Sequence, residues 1–157
     1  MNLENKQENY EAIFDSLKAL IEGEKDWIAN LANVSALLYH QLEDVNWAGF
    51  YLVREGELVL GPFQGKPACI RIEIGSGVCG SAVEEGKTYI VDDVHKFNGH
   101  IACDPNSSSE IVVPLFYNEE IIGVLDIDSP TLSNFDEVDK EFLEKMMDHL
   151  LEVSELE

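Results

Sequence analysis

The 157-residue chain is long enough to bury a sizeable core and short enough to be one domain, here read as spanning 1–157 with a core of about 8–150. Thirty-one acidic residues against ten Lys and Arg leave a formal charge of −21, which excludes partners that present rows of phosphates, whether nucleic acid or an anionic membrane. No apolar run approaches the length needed to cross a bilayer, and the opening Met1-Asn-Leu-Glu-Asn-Lys6 has neither the basic nor the apolar part of an export signal.

Residues 4–22 predict a helix, with Tyr10, Ile13, Phe14, Leu17, Leu20 and Ile21 at 3-4 spacing and Gly23 as its stop. Asp26 can cap a second helix that carries Trp27, Leu31, Val34 and Leu38 on one face and ends near Glu43. The aromatic and aliphatic stretch 46–53 predicts a strand, 54–57 a turn and 58–60 the return strand, with Gly61-Pro62 and Gly65-Lys-Pro67 breaking the pattern. Residues 69–74 alternate with period two and predict a further strand that begins at Cys69. A glycine cluster, Gly75-Ser-Gly-Val-Cys-Gly80, leads into a short helix over about 78–85, followed by a strand over 88–91. The polar stretch 92–108 predicts a long loop, and a loop of that length in a small domain points to function. Residues 109–117 and 121–128 predict a hairpin around a three-residue turn, and Asp136 can cap a last helix bearing Val138, Phe142, Met146, Leu150 and Val153.

Strand side chains alternate between faces, so parity alone sorts them. Ala48, Phe50 and Leu52 share one face of the first strand, while Trp47, Gly49 and Tyr51 share the other. In the later hairpin Ile111, Val113, Leu115, Leu125 and Ile127 form an apolar face suited to packing under helices. The opposite face collects Glu110, Val112, Val124, Asp126 and Asp128, with Glu110 across from Asp128 and Val112 across from Asp126. Facing carboxylates repel unless something protonated or cationic lies between them, and a ligand ammonium would serve.

The three cysteines, Cys69, Cys79 and Cys103, form no CxxC pair, which argues against a zinc ribbon or a thioredoxin-type motif. His95, His100 and Cys103 match no common metal-ligand spacing, so no metal is expected. Without an export signal the cysteines point to a reducing, cytoplasmic setting, where an odd set serves catalysis or simple burial rather than a disulfide framework. Cys69 in a strand and Cys79 beside a glycine turn can each be small buried hydrophobes. Cys103, flanked by Asp104-Pro105 in a polar loop, has no such reason to be there and is the candidate nucleophile. Acidic surroundings would raise its pKa, which favours chemistry in which a protonated carboxylic acid activates the electrophile.

Six stretches carry a family resemblance: Asn46-Trp-Ala-Gly-Phe-Tyr51, Gly61-Pro-Phe-Gln-Gly-Lys-Pro-Ala-Cys69, Gly75-Ser-Gly-Val-Cys-Gly80, His100-Ile-Ala-Cys-Asp104, Ser109-Glu-Ile-Val-Val-Pro114 and Gly123-Val-Leu-Asp-Ile-Asp-Ser129. Together they resemble the free methionine-(R)-sulfoxide reductases, which are stand-alone GAF domains. The resemblance implies reduction of free methionine (R)-sulfoxide to methionine, with no bound cofactor and electrons from thioredoxin. It implies Cys103 as nucleophile, Cys69 as the partner that resolves its sulfenic acid, and Cys79 as an auxiliary or alternative resolver. By the same resemblance Glu110 and Asp128 are the candidates for protonating or hydrogen-bonding the sulfoxide oxygen, with the division of tasks among the acids left open. They hold the substrate ammonium together with Asp126, while Trp47 and Tyr51 box the S-methyl group. A homodimer is implied as well. The alternative is a GAF domain that senses a small molecule without catalysis.

The expected fold is therefore α+β and GAF-like. A central antiparallel sheet of six strands carries the N- and C-terminal helices on one face. A ligand pocket lies on the other, under the glycine segment and the 92–108 loop.

Overall fold

The computed structural model describes residues 2–99 and 105–156. Cys103, with His100 and Asp104, lies outside the described residues.

Among the described residues, four α-helices, six strands and a short 3-10 helix (Val94–Lys96, between β4 and β5) follow in chain order: α1 (Leu3–Leu20), α2 (Trp27–Gln41), β1 (Trp47–Arg54), β2 (Glu57–Gly65), β3 (Arg71–Glu73), α3 (Gly77–Glu85), β4 (Tyr89–Val91), β5 (Ser109–Tyr117), β6 (Glu120–Ser129) and α4 (Glu137–Val153). The strands form one sheet in the order β3-β2-β1-β6-β5-β4, with every neighbouring pair antiparallel. The two edge strands are three residues each, too short to template pairing with another chain.

The caps lie where the sequence places them. Asp26 accepts from the Ala29 amide at the start of α2, and Asp136 forms a reciprocal capping box with Asp139 at the start of α4. The helix-side core joins Ala48, Phe50 and Leu52 of β1, Ile111, Val113 and Leu115 of β5, and Leu125 and Ile127 of β6 to the apolar stripes of α1, α2 and α4. Helix α2 rests on β1 and β2, α4 rests on β5, and α1 packs mainly against α4 and α2. Helix α3 lies across the other face, against β3, β5 and β6.

A buried polar link ties α1 to α4. Asp139, buried in α4, accepts from the Tyr10 hydroxyl and the Lys6 ammonium, and Tyr10 stacks on Phe142 with ring centroids 5.2 Å apart. Burial raises the Asp139 carboxyl above its ordinary range, even though Lys6 and Tyr10 pull it down. Asp139→Ala would strand both donors and break the capping box. It should cost roughly 2–4 kcal/mol in urea unfolding, while activity per folded molecule stays unchanged.

Two local expectations change. Strand β2 runs through Gly61 and Pro62 instead of stopping at Leu60. Its pairing with β1 shifts register beside Phe50, between the pairs Gly49–Phe63 and Tyr51–Leu60, so Pro62 sits in an irregularity that needs no ladder N–H. Strand β3 is shorter than predicted. The Leu60 amide still bonds to the Ile70 carbonyl at 2.8 Å, but Cys69 precedes the strand as irregular chain.

The hairpin reaches the predicted register by a different route. Its turn has two residues, Asn118 and Glu119, both in the left-handed region at φ 51° and 65° as a type I′ turn requires. A bulge between Leu115 and Phe116 supplies the missing residue, so Glu110 pairs with Asp128 and Val112 with Asp126.

Candidate active site

The face away from the α1–α2–α4 layer carries Trp47 and Tyr51 on β1, Val124, Asp126 and Asp128 on β6, and Glu110 and Val112 on β5. Two cross-strand rows organise it. Trp47 pairs with Asp128, which pairs with Glu110; Gly49 pairs with Asp126, which pairs with Val112. Strand register alone therefore sets three carboxylates beside two aromatic rings. Gly49 is needed between those rings, because a Cβ there would lie 2.2 Å from Phe63 Cβ and 2.9 Å from the Trp47 ring.

Trp47, Tyr51, Glu110, Asp126 and Asp128 line one pocket, closed by the 66–68 segment, the start of α3 at Ser76–Cys79, and Ser107. Of the expected site residues, Trp47, Tyr51, Cys79, Glu110, Asp126 and Asp128 all come together here. Trp47 stacks between Tyr51 and Phe63, with ring centroids 5.9 and 5.2 Å away. Both aromatics also hold the wall: Trp47 Nε1 donates to the Lys66 carbonyl at 3.1 Å, and the Tyr51 hydroxyl donates to the Cys69 carbonyl at 2.8 Å. Cys69 is thereby fixed beside the pocket, and it takes part in a disulfide. Cys79 is a free, buried thiol.

The electrostatics follow from crowding acids in a dry place. Glu110 is 6% exposed, and burial, followed by the charges of Asp126 and Asp128, drives its carboxyl well above the usual range. The shift favours the protonated form, which has one O–H to donate. Burial, then Asp126 and Glu110, likewise push the Cys79 thiol up. The Tyr51 phenol is raised for the same reasons, burial first and Asp126 next. Such a site combines a neutral acid, a pair of acceptors for a cation and an aromatic wall.

Cys79, Glu110 and Asp126 place Sγ and carboxylate oxygens within 4.8 Å of one another, so they could in principle hold a metal ion. A cationic substrate group answers the same need, since the carboxylates want positive charge of any kind.

Ser107 is a pocket residue that sequence reasoning missed. Its hydroxyl is buried and has no hydrogen-bond partner among the described residues. Nothing in the run Ser107-Ser-Ser109 singles it out, because Ser107 lies before β5, where strand parity no longer applies.

The GAF domain family model matches residues 29–152. The free methionine-R-sulfoxide reductase of Escherichia coli is 52% identical over 149 residues, covering 95% of this chain and 90% of that protein. The structure of fRMsr of Staphylococcus aureus in complex with substrate superposes with a TM-score of 0.88 at 54% identity, covering 92% and 94% of the two chains. A crystal structure of a putative GAF sensor protein from Burkholderia vietnamiensis gives 0.91 at 51% identity, covering 95% of each chain. With the acid-lined, aromatic-walled pocket on a six-stranded antiparallel sheet, these matches place the chain in the free methionine-R-sulfoxide reductase family of GAF domains.

Proposed function

We propose that this chain reduces free methionine (R)-sulfoxide to methionine by thiol chemistry. The observation that carries the proposal is the convergence of Glu110, Asp126 and Asp128 under Trp47 and Tyr51, in the pocket wall of which Cys69 is anchored. Protonated Glu110 hydrogen-bonds the sulfoxide oxygen and makes the sulfur electrophilic. Asp126 and Asp128 receive the α-ammonium, and the Trp47–Tyr51 wall takes the S-methyl group.

The Cys103 thiolate attacks the sulfoxide sulfur. Protonated by Glu110, the oxygen passes as hydroxyl from that sulfur to the Cys103 sulfur; the bond between Cys103 and the methionine sulfur breaks with its electron pair on methionine, which leaves, and Cys103 remains as a sulfenic acid. The Cys69 thiol then displaces that oxygen as water, forming a disulfide with Cys103. Thioredoxin, as a dithiol, reduces this disulfide and leaves oxidised itself. The disulfide at Cys69 and the free thiol at Cys79 support this choice of resolving cysteine. No cofactor or metal takes part in these steps. A homodimer and a cytoplasmic location complete the reading.

Specificity for the free amino acid follows from the acids. A peptide-bound methionine has no α-ammonium, so binding it would leave buried carboxylates unpaired. Free (R)-sulfoxide should therefore exceed peptide methionine sulfoxide in kcat/KM by at least about 100-fold. The test is NADPH oxidation coupled through thioredoxin reductase and thioredoxin, with free (R)-, free (S)- and peptide sulfoxides compared. Comparable turnover of free and peptide substrates would defeat the proposal. Cys69→Ser should release one methionine per subunit and then stop; normal recycling in that variant would sink the resolving assignment. The relative described as a putative GAF sensor favours a second reading, ligand sensing without catalysis. Stoichiometric binding of the sulfoxide by the reduced protein, with no methionine formed, would establish that reading instead.

A further inference from the structure

Cys79 is the one cysteine that the proposed cycle leaves without a task. It is 4% exposed, stands at the third position of α3 and is a free thiol. Its Sγ and the carboxylate oxygens of Glu110 and Asp126 lie within 4.8 Å of one another, which puts the Asp126 carboxylate beside the thiol.

The helix that carries it is closely seated. Gly80, the next residue, approaches β3 so tightly that a Cβ there would lie 2.4 Å from the Glu73 carbonyl. The Gly75 amide bonds back to the Gly80 carbonyl at 2.9 Å, which locks the turn before the helix.

A cysteine at a helix N-terminus is ordinarily activated, because the helix dipole favours the thiolate. Here the opposite effect prevails. Burial and three carboxylates push the thiol well above its usual range, so Cys79 keeps its proton. A thiol that keeps its proton is a poor nucleophile and a usable donor. Sulfur also tolerates the apolar neighbours Val78, Ile72 and Val124 at less desolvation cost than a hydroxyl.

We propose that Cys79 is a positioning residue: its thiol donates a hydrogen bond to the Asp126 carboxylate and keeps that carboxylate ionised and aimed at the substrate ammonium. Asp126 then accepts from Cys79, leaving its remaining lone pairs for the ligand. The consequence for turnover rests on the function proposed above, whereas the hydrogen bond itself does not.

Two measurements separate these levels. In full-length protein with Cys69→Ser and Cys103→Ser, Cys79 is the last of the three cysteines, and its infrared S–H stretch can be read without turnover. The band should lie at the low frequency of a bonded thiol and move up in the additional Asp126→Ala variant. A free-thiol band that ignores Asp126→Ala would overturn the positioning role, whatever the activity.

In the otherwise wild-type enzyme, Cys79→Ala should raise KM for free methionine (R)-sulfoxide about tenfold, the size of losing one hydrogen bond to a charged group. Single-turnover methionine release at saturating substrate and thioredoxin recycling should stay within about threefold, and Cys79→Ser should restore most of KM. Equal loss of recycling in both variants, with KM unchanged, would make Cys79 a redox group and defeat the proposal. An inactive wild type that shows the bonded S–H band would count against the proposed function alone.

Discussion

Cys103→Ser should abolish methionine formation from free methionine (R)-sulfoxide even in a single turnover, a loss of about 10⁴-fold or more. The other assigned groups bind and polarise the sulfoxide but cannot take its oxygen. Glu110, Asp126 and Asp128 are carboxyls, Trp47 and Tyr51 form the apolar wall, and Cys79 is held protonated. A serine hydroxyl is far harder to deprotonate than a thiol and forms no stable product analogous to a sulfenic acid. The binding site should survive the change, because none of the residues assigned to binding is altered. The reduced variant should still bind the sulfoxide, measured by calorimetry or by quenching of Trp47. Mass spectrometry after one equivalent of substrate should find no added oxygen on the variant, and one disulfide, two hydrogens lighter, in the wild type. Methionine released in stoichiometric yield by Cys103→Ser would show that another thiol is the nucleophile, with Cys69 first in line because Tyr51 anchors it at the pocket wall.

The residues that could be placed from sequence are those whose position follows from a local rule. Asp26 and Asp136 are readable as caps because the side-chain oxygen and the first free amides lie within one turn of chain. Trp47, Tyr51, Glu110, Asp126 and Asp128 are readable as one face because strand parity is geometric and the hairpin register is nearly so. Even there, the correct pairing of Glu110 with Asp128 hides two unread details, a two-residue turn and a compensating bulge. What escaped is set by packing between distant segments. The Leu60–Ile70 hydrogen bond and the short β3 decide that Cys69 lies outside the strand, and period-two alternation through 69–74 cannot report that. Gly61-Pro62 looks like a break until its neighbour β1 is known to accommodate an irregularity opposite Phe50. Ser107 reaches the pocket through the course of its loop, and Cys79 owes its neutrality to acids from two other strands.

Glu110→Gln should separate catalysis from stability, because the carboxyl that serves the first works against the second. Glu110 is buried against two aspartates, and its pKa lies well above the ordinary carboxylate range. The proton that this shift favours is the one offered to the sulfoxide oxygen. Glutamine can donate a hydrogen bond but not transfer a proton, so kcat/KM should fall by about 100-fold or more. The pH profile carries the sign. Wild-type activity should rise with the thiolate fraction of Cys103 and fall at higher pH as Glu110 ionises; Glu110→Gln should keep the rising limb and lose the falling one. Stability runs the other way. A group whose folded pKa exceeds its unfolded value binds its proton more tightly in the native state, so its contribution declines as pH rises from the unfolded toward the folded value. Urea midpoints of wild type and Glu110→Gln should therefore lie closest below the ordinary glutamate range. Above it the variant should become progressively the more stable of the two. A gap that does not change with pH would mean that Glu110 is already ionised in the folded protein. The oxygen of the sulfoxide would then have to find its proton elsewhere, and the pocket would lose the neutral acid that activates the electrophile.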